Sequence, residues 1–496
     1  MLGLLAIMGL CHCSGGDRGA SARAAAPAAA SSLPARGWRY EVTVGPLGRE
    51  LVVEAAIAPG SAEELGVDSG AAAYVRDLEI ATDGVWQSAG IERRGASWIV
   101  PSCAARGCRL RYRFLLGEAA GLADVDVAFE SNGVIVAGPA TWLLHPLGPS
   151  AGSPYRFRVH TPREVKFVTG VQPAADGEAN TYEADVTDLA LAPHAAFGPL
   201  RVRRLSVGGA RVDLAIVPGE LSLDDDAVAA WVQASADAVA GYYGRFPVPT
   251  ALVLALPSAG RGLHGTAYGN GGAEVLLRVG EHAGARAVEH DWVLTHELVH
   301  LGFPSMIRRY SWIEEGIATY VEPIARARMG ALQPEDVWFD LVVGLPQGQP
   351  EAGDQGLDNT PTWGRTYWGG ALFCLLADLE IRKRTNNERS LDDALRGIVA
   401  AGGSIVVRWE LSRALAEGDR ATGVPVLREL HERMGSSPAG VDLEPIWRDL
   451  GVTRRGRSVD LDDAAPLAAI RRSITAPRSG AALAQGSSRS YADSGQ

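Results

Sequence analysis

The sequence has a deficit of basic residues, few cysteines and no long hydrophobic run. Its 47 lysines and arginines against 58 aspartates and glutamates give a net charge of −11, which argues against nucleic acid as a general partner. We find no internal repeat. No Gly-Lys-Ser or Gly-Lys-Thr follows the glycine-rich stretch 261–280, which excludes a phosphate-binding loop there.

The residues that are present indicate a globular protein of several domains. An apolar content of 47% and a charged content of 21% are ordinary for a soluble fold. A chain of 496 residues is too long for one ordinary hydrophobic core, so we expect two to three domains.

Residues 1–35 are expected to be a leader and a flexible linker. The run from Leu2 to Leu10 suits the apolar part of a signal peptide and is too short to cross a membrane as a helix. With Cys11 and Cys13 behind it, this start resembles that of a bacterial lipoprotein. The resemblance predicts export, to the periplasm, the outer membrane or the medium, and a membrane tether through one lipidated cysteine. The alternative is a disordered, alanine-rich leader.

Residues 36–205 predict a β-rich, sandwich-like N-terminal domain. Short apolar segments with partial alternation occur at 38–44, 51–57, 96–101 and 110–116, separated by Gly, Pro and Asp. Cys103 and Cys108 are close in sequence, so a small disulfide loop is plausible in an exported protein.

The stretch 206–290 predicts the beginning of a second domain. Segments 210–218 and 250–257 have the composition of strands, and the spacing from Asp224 to Tyr243 predicts a helix between them.

The most informative stretch is 291–320, which contains His296-Glu297-x-x-His300. Residues four apart lie on one face of a helix, so both imidazoles can reach one metal ion. Neutral imidazole suits zinc, and the neighbouring carboxylate can act as a general base on zinc-activated water. An apolar stripe at positions 294, 298 and 301 predicts that another face of this helix is buried.

A second helix is predicted shortly afterwards. Ser311 with Glu314 three residues later has the pattern of a capping box, which leaves Glu315 free to be a third metal ligand. Two histidines, one glutamate and one open position describe a catalytic zinc site, whereas a structural zinc site is more often rich in cysteine.

The motif His296–His300 followed by Trp312-Ile313-Glu314-Glu315-Gly316 resembles the gluzincin metallopeptidases, most closely the M61 (glycyl aminopeptidase-like) family and secondarily the M1 aminopeptidases. The resemblance implies that His296, His300 and Glu315 hold one zinc ion per chain and that Glu297 is the general base. Only 14 residues separate His300 from Glu315, which is shorter than the usual M1 spacing.

A second segment also resembles M61, with its parts in the same order. It comprises Tyr367-Trp368-Gly369-Gly370-Ala371-Leu372, Asp378-Leu379, Ile381-Arg382, Ser390-Leu391-Asp392-Asp393 and Arg396. By this resemblance Tyr367 donates a hydrogen bond to the oxyanion of the tetrahedral intermediate; the alternative is a packed tyrosine at a helix start. The family usually has Lys where this chain has Gly369.

Two further polar residues remain open to more than one interpretation. Gly271-Gly272-Ala273-Glu274 loosely resembles the M1 motif whose Glu binds the free α-amine of a peptide. Glu274 is therefore a weak candidate for substrate binding, and the alternative is a solvated strand residue. His264 is expected to be a loop histidine, because the zinc ion already has three ligands.

The C-terminal part predicts helices, with an apolar helical face at 371, 372, 375 and 379. Cys374 lies among apolar residues of this segment and is expected in the core. We expect a helical domain over 331–455 and a disordered tail over 456–496, which is too short for the PDZ domain that many M61 proteins carry.

Together these features predict a multidomain α+β protein: a leader (1–35), the β domain (36–205), a thermolysin-like catalytic domain (206–330), the helical domain and the tail. The predicted function is that of a zinc metallopeptidase, aminopeptidase-like, acting on peptides or proteins. The alternative is an inactive peptidase-fold envelope protein that serves as a binding or scaffold module. The shortened ligand spacing and Gly369 favour that alternative, and the complete set of site residues favours the enzyme.

Overall fold

A computed structural model describes residues 33–68, 70–121, 128–148 and 152–476. The predicted leader, with Cys11 and Cys13, lies almost entirely outside the described residues, as does the last part of the predicted tail. Within the described ranges, no helix is both long enough and apolar enough to cross a membrane.

The N-terminal region is built from short strands with three short helices between them. The strands are β1 (Trp38–Val44), β2 (Leu51–Ile57), β3 (Glu64–Gly66), β4 (Val75–Thr82), β5 (Val85–Gln87), β6 (Glu92–Arg94), β7 (Ser97–Ile99), β8 (Cys108–Phe114), β9 (Ala128–Ser131), β10 (Val134–Ala137), β11 (His145–Pro146), β12 (Pro154–His160), β13 (Lys166–Thr169), β14 (Thr181–Asp185) and β15 (Ala195–Gly198). The helices are α1 (Pro101–Arg106), α2 (Leu116–Ala119) and α3 (Pro139–Trp142).

These strands form three sheets that share one hydrophobic core. The largest sheet has the order β14-β12-β1-β2-β8-β4-β5, and the smaller ones have the orders β13-β15-β10-β9 and β11-β3-β7-β6. Alternate residues of β1, such as Tyr40 and Val42, are fully buried in this core, because successive side chains of a strand point to opposite faces. The β-rich prediction is confirmed, and Cys103 and Cys108 form the disulfide.

The next sheet has five strands and carries the candidate site on its edge. Its strands are β16 (Arg201–Val207), β17 (Ala210–Ile216), β18 (Thr250–Ser258), β19 (Leu263–Tyr268) and β20 (Glu274–Gly280), in the order β16-β17-β18-β20-β19. Strands β17, β18 and β20 are parallel, and β19 pairs antiparallel with β20. Because β16 begins at Arg201, this unit starts slightly before the expected boundary at 205.

Helices cover the sheet and continue to the end of the described chain. They are α4 (Asp225–Tyr243), α5 (Ala285–Glu289), α6 (Val293–His300), α7 (Ser311–Arg328), α8 (Pro334–Gly344), α9 (Gly370–Arg384), α10 (Leu391–Ala400), α11 (Leu411–Thr422), α12 (Val426–Met434), α13 (Leu443–Leu450) and α14 (Ala468–Thr475). A π-helical turn, Arg365–Gly369, precedes α9, and the hairpin β21 (Val452–Arg455) and β22 (Ser458–Leu461) precedes α14. One continuous core joins the five-stranded sheet to these helices.

The expectation of a disordered tail from residue 456 is wrong for the part that is described. Strand β22 and helix α14 are ordered there, and Ile474 is fully buried. The guanidinium of Arg471 donates to the carbonyl of Leu450 at 2.8 Å, and Arg328 of α7 donates to the carbonyl of Ile474. The buried side chain of Ile474 and the hydrogen bonds of Arg471 and Arg328 hold this segment against α13 and α7.

Candidate metal centre

Helix α6 presents the two histidines from a rigid position. Asp291 caps its first turn by accepting hydrogen bonds from the backbone N–H groups of Val293 and Leu294, each at 3.0 Å. Leu294 and Leu298 are fully buried, which confirms the predicted apolar stripe. The opposite face therefore turns His296 and His300 toward α7.

Helix α7 supplies the third candidate ligand, but the predicted capping box is wrong. A 3-10 turn, Arg308–Tyr310, leads directly into α7, and Ser311 already has helical backbone angles, whereas an N-cap residue is extended. The carboxylate of Glu314 accepts instead from the backbone N–H of Met306 at 3.2 Å. Glu314 thereby braces the short loop between the two helices, and Glu315 points to the histidines.

The three predicted ligands converge. Glu315 Oε2 lies 3.2 Å from His296 Nε2 and 3.5 Å from His300 Nε2. All three ligand atoms lie within 4.8 Å of one another. With zinc–ligand bonds of about 2 Å, separations of this size allow one ion to contact all three. Two imidazoles and one carboxylate are one of the donor sets found in catalytic zinc sites.

The electrostatics of the cluster favour a bound cation. The hydrogen bonds and charges of the histidines hold the pKa of Glu315 well below its usual range, although burial acts to raise it. Burial acts to lower the pKa of His300, but the hydrogen bond and charge of Glu315, with a smaller contribution from Glu297, outweigh it and raise the pKa to about 9. Both shifts show that the carboxylates stabilise positive charge at the histidines, which is the charge that a bound metal cation would supply.

Glu297 lies on the same face of α6, between the ligands and the edge strand β19. Its side chain packs against Gly265, where an added Cβ would stand only 3.2 Å from Glu297 Cδ. Glycine at this position therefore lets the strand pass close to the helix. The cleft at this point has a volume of about 530 Å³, and both residues line it together with the three ligands and Tyr367.

Tyr367 reaches the same cleft from the π-helical turn that precedes α9. Its ring stacks on His296 with a centroid distance of 6.3 Å. Burial and the carboxylates of Glu315 and Glu297 raise the pKa of Tyr367 to about 12, so the hydroxyl keeps its donor proton at neutral pH. Helices α7 and α9 approach closely at Gly316 and Gly370, where a Cβ on either residue would overlap the other backbone.

Asp378, Arg382 and Leu391 of the second M61-like segment belong to a buried hydrogen-bond network. Asp378 accepts hydrogen bonds from Arg382, from the Tyr320 hydroxyl and from the Leu391 backbone, each at 2.9 Å. The network fastens α9 and α10 to α7 and so fixes the turn that carries Tyr367. At Gly369 a Cβ would stand 3.0 Å from Leu357 and 3.3 Å from the Arg365 guanidinium, so that space is already occupied.

The structure does not bring Glu274 to the cleft. Its side chain is fully buried, and Oε2 accepts from the backbone N–H of His194 at 2.7 Å and from its Nδ1 at 3.1 Å. The interpretation as a solvated strand residue is wrong as well. Glu274 begins β20, and His194, a loop residue of the N-terminal region, covers it. No local pattern in the sequence predicts that contact. His264 is not part of the ligand cluster, and the expectation that it lies in a loop is wrong, because it is exposed on strand β19.

The sequence did not predict that several further residues lie at the cleft. Residues 405–409 return to the cleft and pair with Ser305 and Asn270, which places the exposed Arg408 on its wall. Trp292 and Trp363 flank the site and remain 53% and 61% exposed. No local sequence pattern predicts that a distant loop returns to the cleft. The two tryptophans did offer a local signal, because Trp292 lies one turn before His296 and Trp363 lies four residues before Tyr367.

Comparisons with known proteins agree with this geometry at the level of the fold. An aminopeptidase N family protein from Idiomarina loihiensis aligns with a TM-score of 0.61 at 15% identity, over 84% of this chain and 78% of that chain. A variant of an M1 zinc metallopeptidase from Deinococcus radiodurans, bound to a Tyr-Ser-Ala substrate, aligns with a TM-score of 0.51 at 14% identity, over 82% and 95%. No protein-family model matches the sequence, and no curated protein matches it significantly.

The chain therefore has the multidomain fold of M1-type zinc metallopeptidases, with mixed sheets followed by helices. The resemblance drawn from the sequence is confirmed at the level of the fold. The residues that match the zinc motif lie together in one cleft.

Proposed function

We propose that this protein is a zinc-dependent metallopeptidase of the M61 type. The observation that carries the proposal is the convergence of His296, His300 and Glu315 in a cleft that also holds Glu297 and Tyr367. The M61 assignment within the gluzincins rests on the two sequence motifs, and the second of these forms the network that positions Tyr367.

Each residue of the site has a separate role in the proposed hydrolysis. Zinc, held by His296, His300 and Glu315, would supply a Lewis acid that polarises a carbonyl and acidifies water. Glu297 takes a proton from the attacking water and later delivers it to the leaving amine. The Tyr367 hydroxyl donates a hydrogen bond to the carbonyl oxygen as negative charge develops on it.

The proposed substrate is a peptide in extended conformation. Among the strands that the structure describes, β19 pairs only with β20, and its residues from Gly265 to Tyr268 line the cleft. An unpaired strand edge beside the catalytic groups can bind a peptide backbone as an additional strand. Such binding would present successive carbonyl groups to Glu297 and the metal ligands.

An aminopeptidase-like activity remains part of the proposal, because the fold is shared with an aminopeptidase N family protein. Recognition of the α-amine through Glu274 is not supported, since that carboxylate is buried against His194. Aminoacyl substrates and internally quenched peptides should therefore be compared directly.

We also propose that the protein is exported and tethered by a lipidated N-terminal cysteine. The Cys103–Cys108 disulfide supports export, because such bonds persist in oxidising compartments. Mass spectrometry of the protein isolated from membranes would detect the lipid, and a soluble cytosolic protein with reduced cysteines would contradict the proposal.

The decisive experiment combines metal analysis with turnover for wild type and Glu297→Gln. We expect one zinc ion per chain in both proteins, and a loss of kcat/KM of about 10²- to 10⁴-fold in the variant, because general base catalysis is removed. Glu335→Gln, on the exposed start of α8, serves as the matched control and should retain activity.

Normal turnover by Glu297→Gln would refute the assignment of the base. Zinc without turnover in wild type would instead favour the alternative, a catalytically inactive binding or scaffold module on a peptidase fold.

A further inference from the structure

A second cavity of about 710 Å³ opens directly beside the proposed metal site. It shares Trp292, His296 and Tyr367 with the catalytic cleft and extends between α7 and α8, away from β19. The catalytic steps proposed above do not use this space. A cavity continuous with the reacting groups is the natural position for a side chain of the substrate.

One wall of the cavity is a polar stripe on α7. Thr319, Glu322 and Arg326 follow Glu315 at spacings of four, seven and eleven residues, so they share one face of the helix. Glu322 and Arg326 are only 7% and 8% exposed and form an ion pair of 2.8 Å. The stripe therefore runs from the metal ligand into the cavity.

The stripe has unused hydrogen-bond acceptors. The buried hydroxyl oxygen of Thr319 has no hydrogen-bond partner among the described residues. Pro323 lies within α7 and has no N–H, so the carbonyl of Thr319 lacks its ordinary helical donor. A guest that donates hydrogen bonds would satisfy these groups, whereas a purely apolar guest would leave them unpaired at a cost.

Charge points to the same kind of guest. Glu289, Glu322 and Asp340 line the cavity together with a single guanidinium, that of Arg326. Burial raises the pKa of Glu322 to about 7, with a further contribution from the nearby Asp340, even though Arg326 opposes the shift. The three carboxylates outnumber the guanidinium of Arg326, and a cation bound beside Glu322 would favour its ionised form and complement them.

The mouth of the cavity suits an aliphatic chain. The indole of Trp363 stacks on Tyr367 with a centroid distance of 5.8 Å, and Trp292 meets His296 edge-on at 5.5 Å. Val343, 36% exposed, adds to this apolar rim. Aromatic faces next to carboxylates accept the methylene stem and the charged head of lysine or arginine.

We propose that this cavity binds the side chain of an arginine or lysine next to the cleaved peptide bond, with the charged head at Glu322; this rests on the proposed peptidase function. Seven residues of helix place Glu322 about 10 Å along α7 from Glu315, so only a long side chain can reach it. The cavity thereby gives the enzyme a preference for basic substrates.

The test uses internally quenched peptides that differ only beside the cleaved bond, with arginine, lysine, norleucine, phenylalanine or glutamate. Norleucine keeps an aliphatic stem but lacks the charge. We expect wild type to prefer arginine and lysine, and Glu322→Gln to lose that preference by about 10- to 100-fold in kcat/KM while the norleucine peptide is unaffected. Glu335→Gln, which does not line the cavity, is the matched control.

Because Glu322→Gln leaves the buried Arg326 without its partner, Asp340→Asn provides a second variant at an exposed position. It should weaken the preference for basic residues several-fold, and more strongly at low salt. Binding of arginine amide and norleucine amide to the zinc-loaded Glu297→Gln variant, with and without Glu322→Gln, is measured by calorimetry and tests the cavity without turnover.

The outcomes separate the two proposals. Turnover without a preference for basic side chains, or equal binding of the two amides, would contradict cation binding in the cavity. Neither result would contradict the proposed peptidase function. Preferential binding of arginine amide that Glu322→Gln abolishes, together with no hydrolysis of any peptide, would support the pocket and overturn the peptidase.

Discussion

Two of the glutamate–histidine clusters in the described part of the chain lie beside a tyrosine, and they differ in what surrounds them. At the candidate metal centre one carboxylate oxygen of Glu315 lies within 3.5 Å of two histidines, and its side chain is 25% exposed. In the second cluster Glu274 is fully buried and bonded to a single residue, His194.

The difference shows that residue types alone do not make a metal site. Tyr367 stacks on His296 in the first cluster, and Tyr268 meets His194 edge-on at 4.6 Å in the second. Only the first offers three converging ligand atoms and an opening to a cleft. In the second, one oxygen of the carboxylate accepts both hydrogen bonds from His194, so the cluster is a structural contact between the N-terminal sheets and β20.

Removing the charge of Glu315 should have the largest effect. Glu315→Gln replaces a zinc ligand with a neutral amide, so we expect zinc affinity to fall by more than the roughly 10- to 100-fold that the loss of an outer-shell partner costs. Turnover should disappear with the metal. Metal analysis after dialysis against a weak chelator measures the effect.

The adjacent Glu314 provides the matched control for this variant. It is partly buried and bonds the loop through Met306, so Glu314→Gln should retain zinc. Equal zinc content in the two variants would show that the ligand set is wrong.

Removing the Tyr367 hydroxyl should have the next largest effect. Tyr367→Phe keeps the ring stacked on His296 but removes the hydrogen bond to the developing oxyanion, so we expect kcat to fall by about 10²- to 10³-fold with zinc retained. Tyr310→Phe, on the 3-10 turn before α7, is the control and should change kcat little. A similarly small change in Tyr367→Phe would favour a packing role for this tyrosine.

The contrast between the two clusters also marks the limit of prediction from sequence. His296, Glu297, His300 and Glu315 were predicted because two adjacent helices and a short loop keep them close in sequence. Glu274 was misplaced because its burial depends on His194, which lies 80 residues away in another part of the fold. Local patterns determine which face of a helix a residue occupies, but they do not determine what covers it.

The same reason explains the errors at Glu314 and in the tail. The Ser311 and Glu314 pair had the right spacing for a capping box, but the preceding 3-10 turn continued directly into the helix. The tail was expected to be disordered from residue 456, yet Arg471 is satisfied by carbonyl groups that the sequence alone does not place nearby.

Disrupting the second cluster should have the smallest of the three predicted effects, a change in the free energy of unfolding that depends on pH. Burial acts to lower the pKa of His194, but the charge and hydrogen bond of Glu274 outweigh it and raise the pKa. A raised folded-state pKa stabilises the protein fully below the unfolded value of about 6.5. That contribution is lost as the pH rises through the folded-state pKa.

His194→Gln should therefore cost about 1 to 3 kcal/mol of unfolding free energy at pH 6, and the difference from wild type should shrink toward pH 9. Denaturant unfolding of the zinc-loaded proteins across this range measures it. His160→Gln removes an exposed pair with Glu41, of 2.8 Å, and should change stability by less than about 1 kcal/mol at any pH. If the free energy of unfolding depends on pH equally in wild type and His194→Gln, the pair of His194 and Glu274 makes no pH-dependent contribution to stability. Zinc loss in His194→Gln would show that the two clusters are coupled.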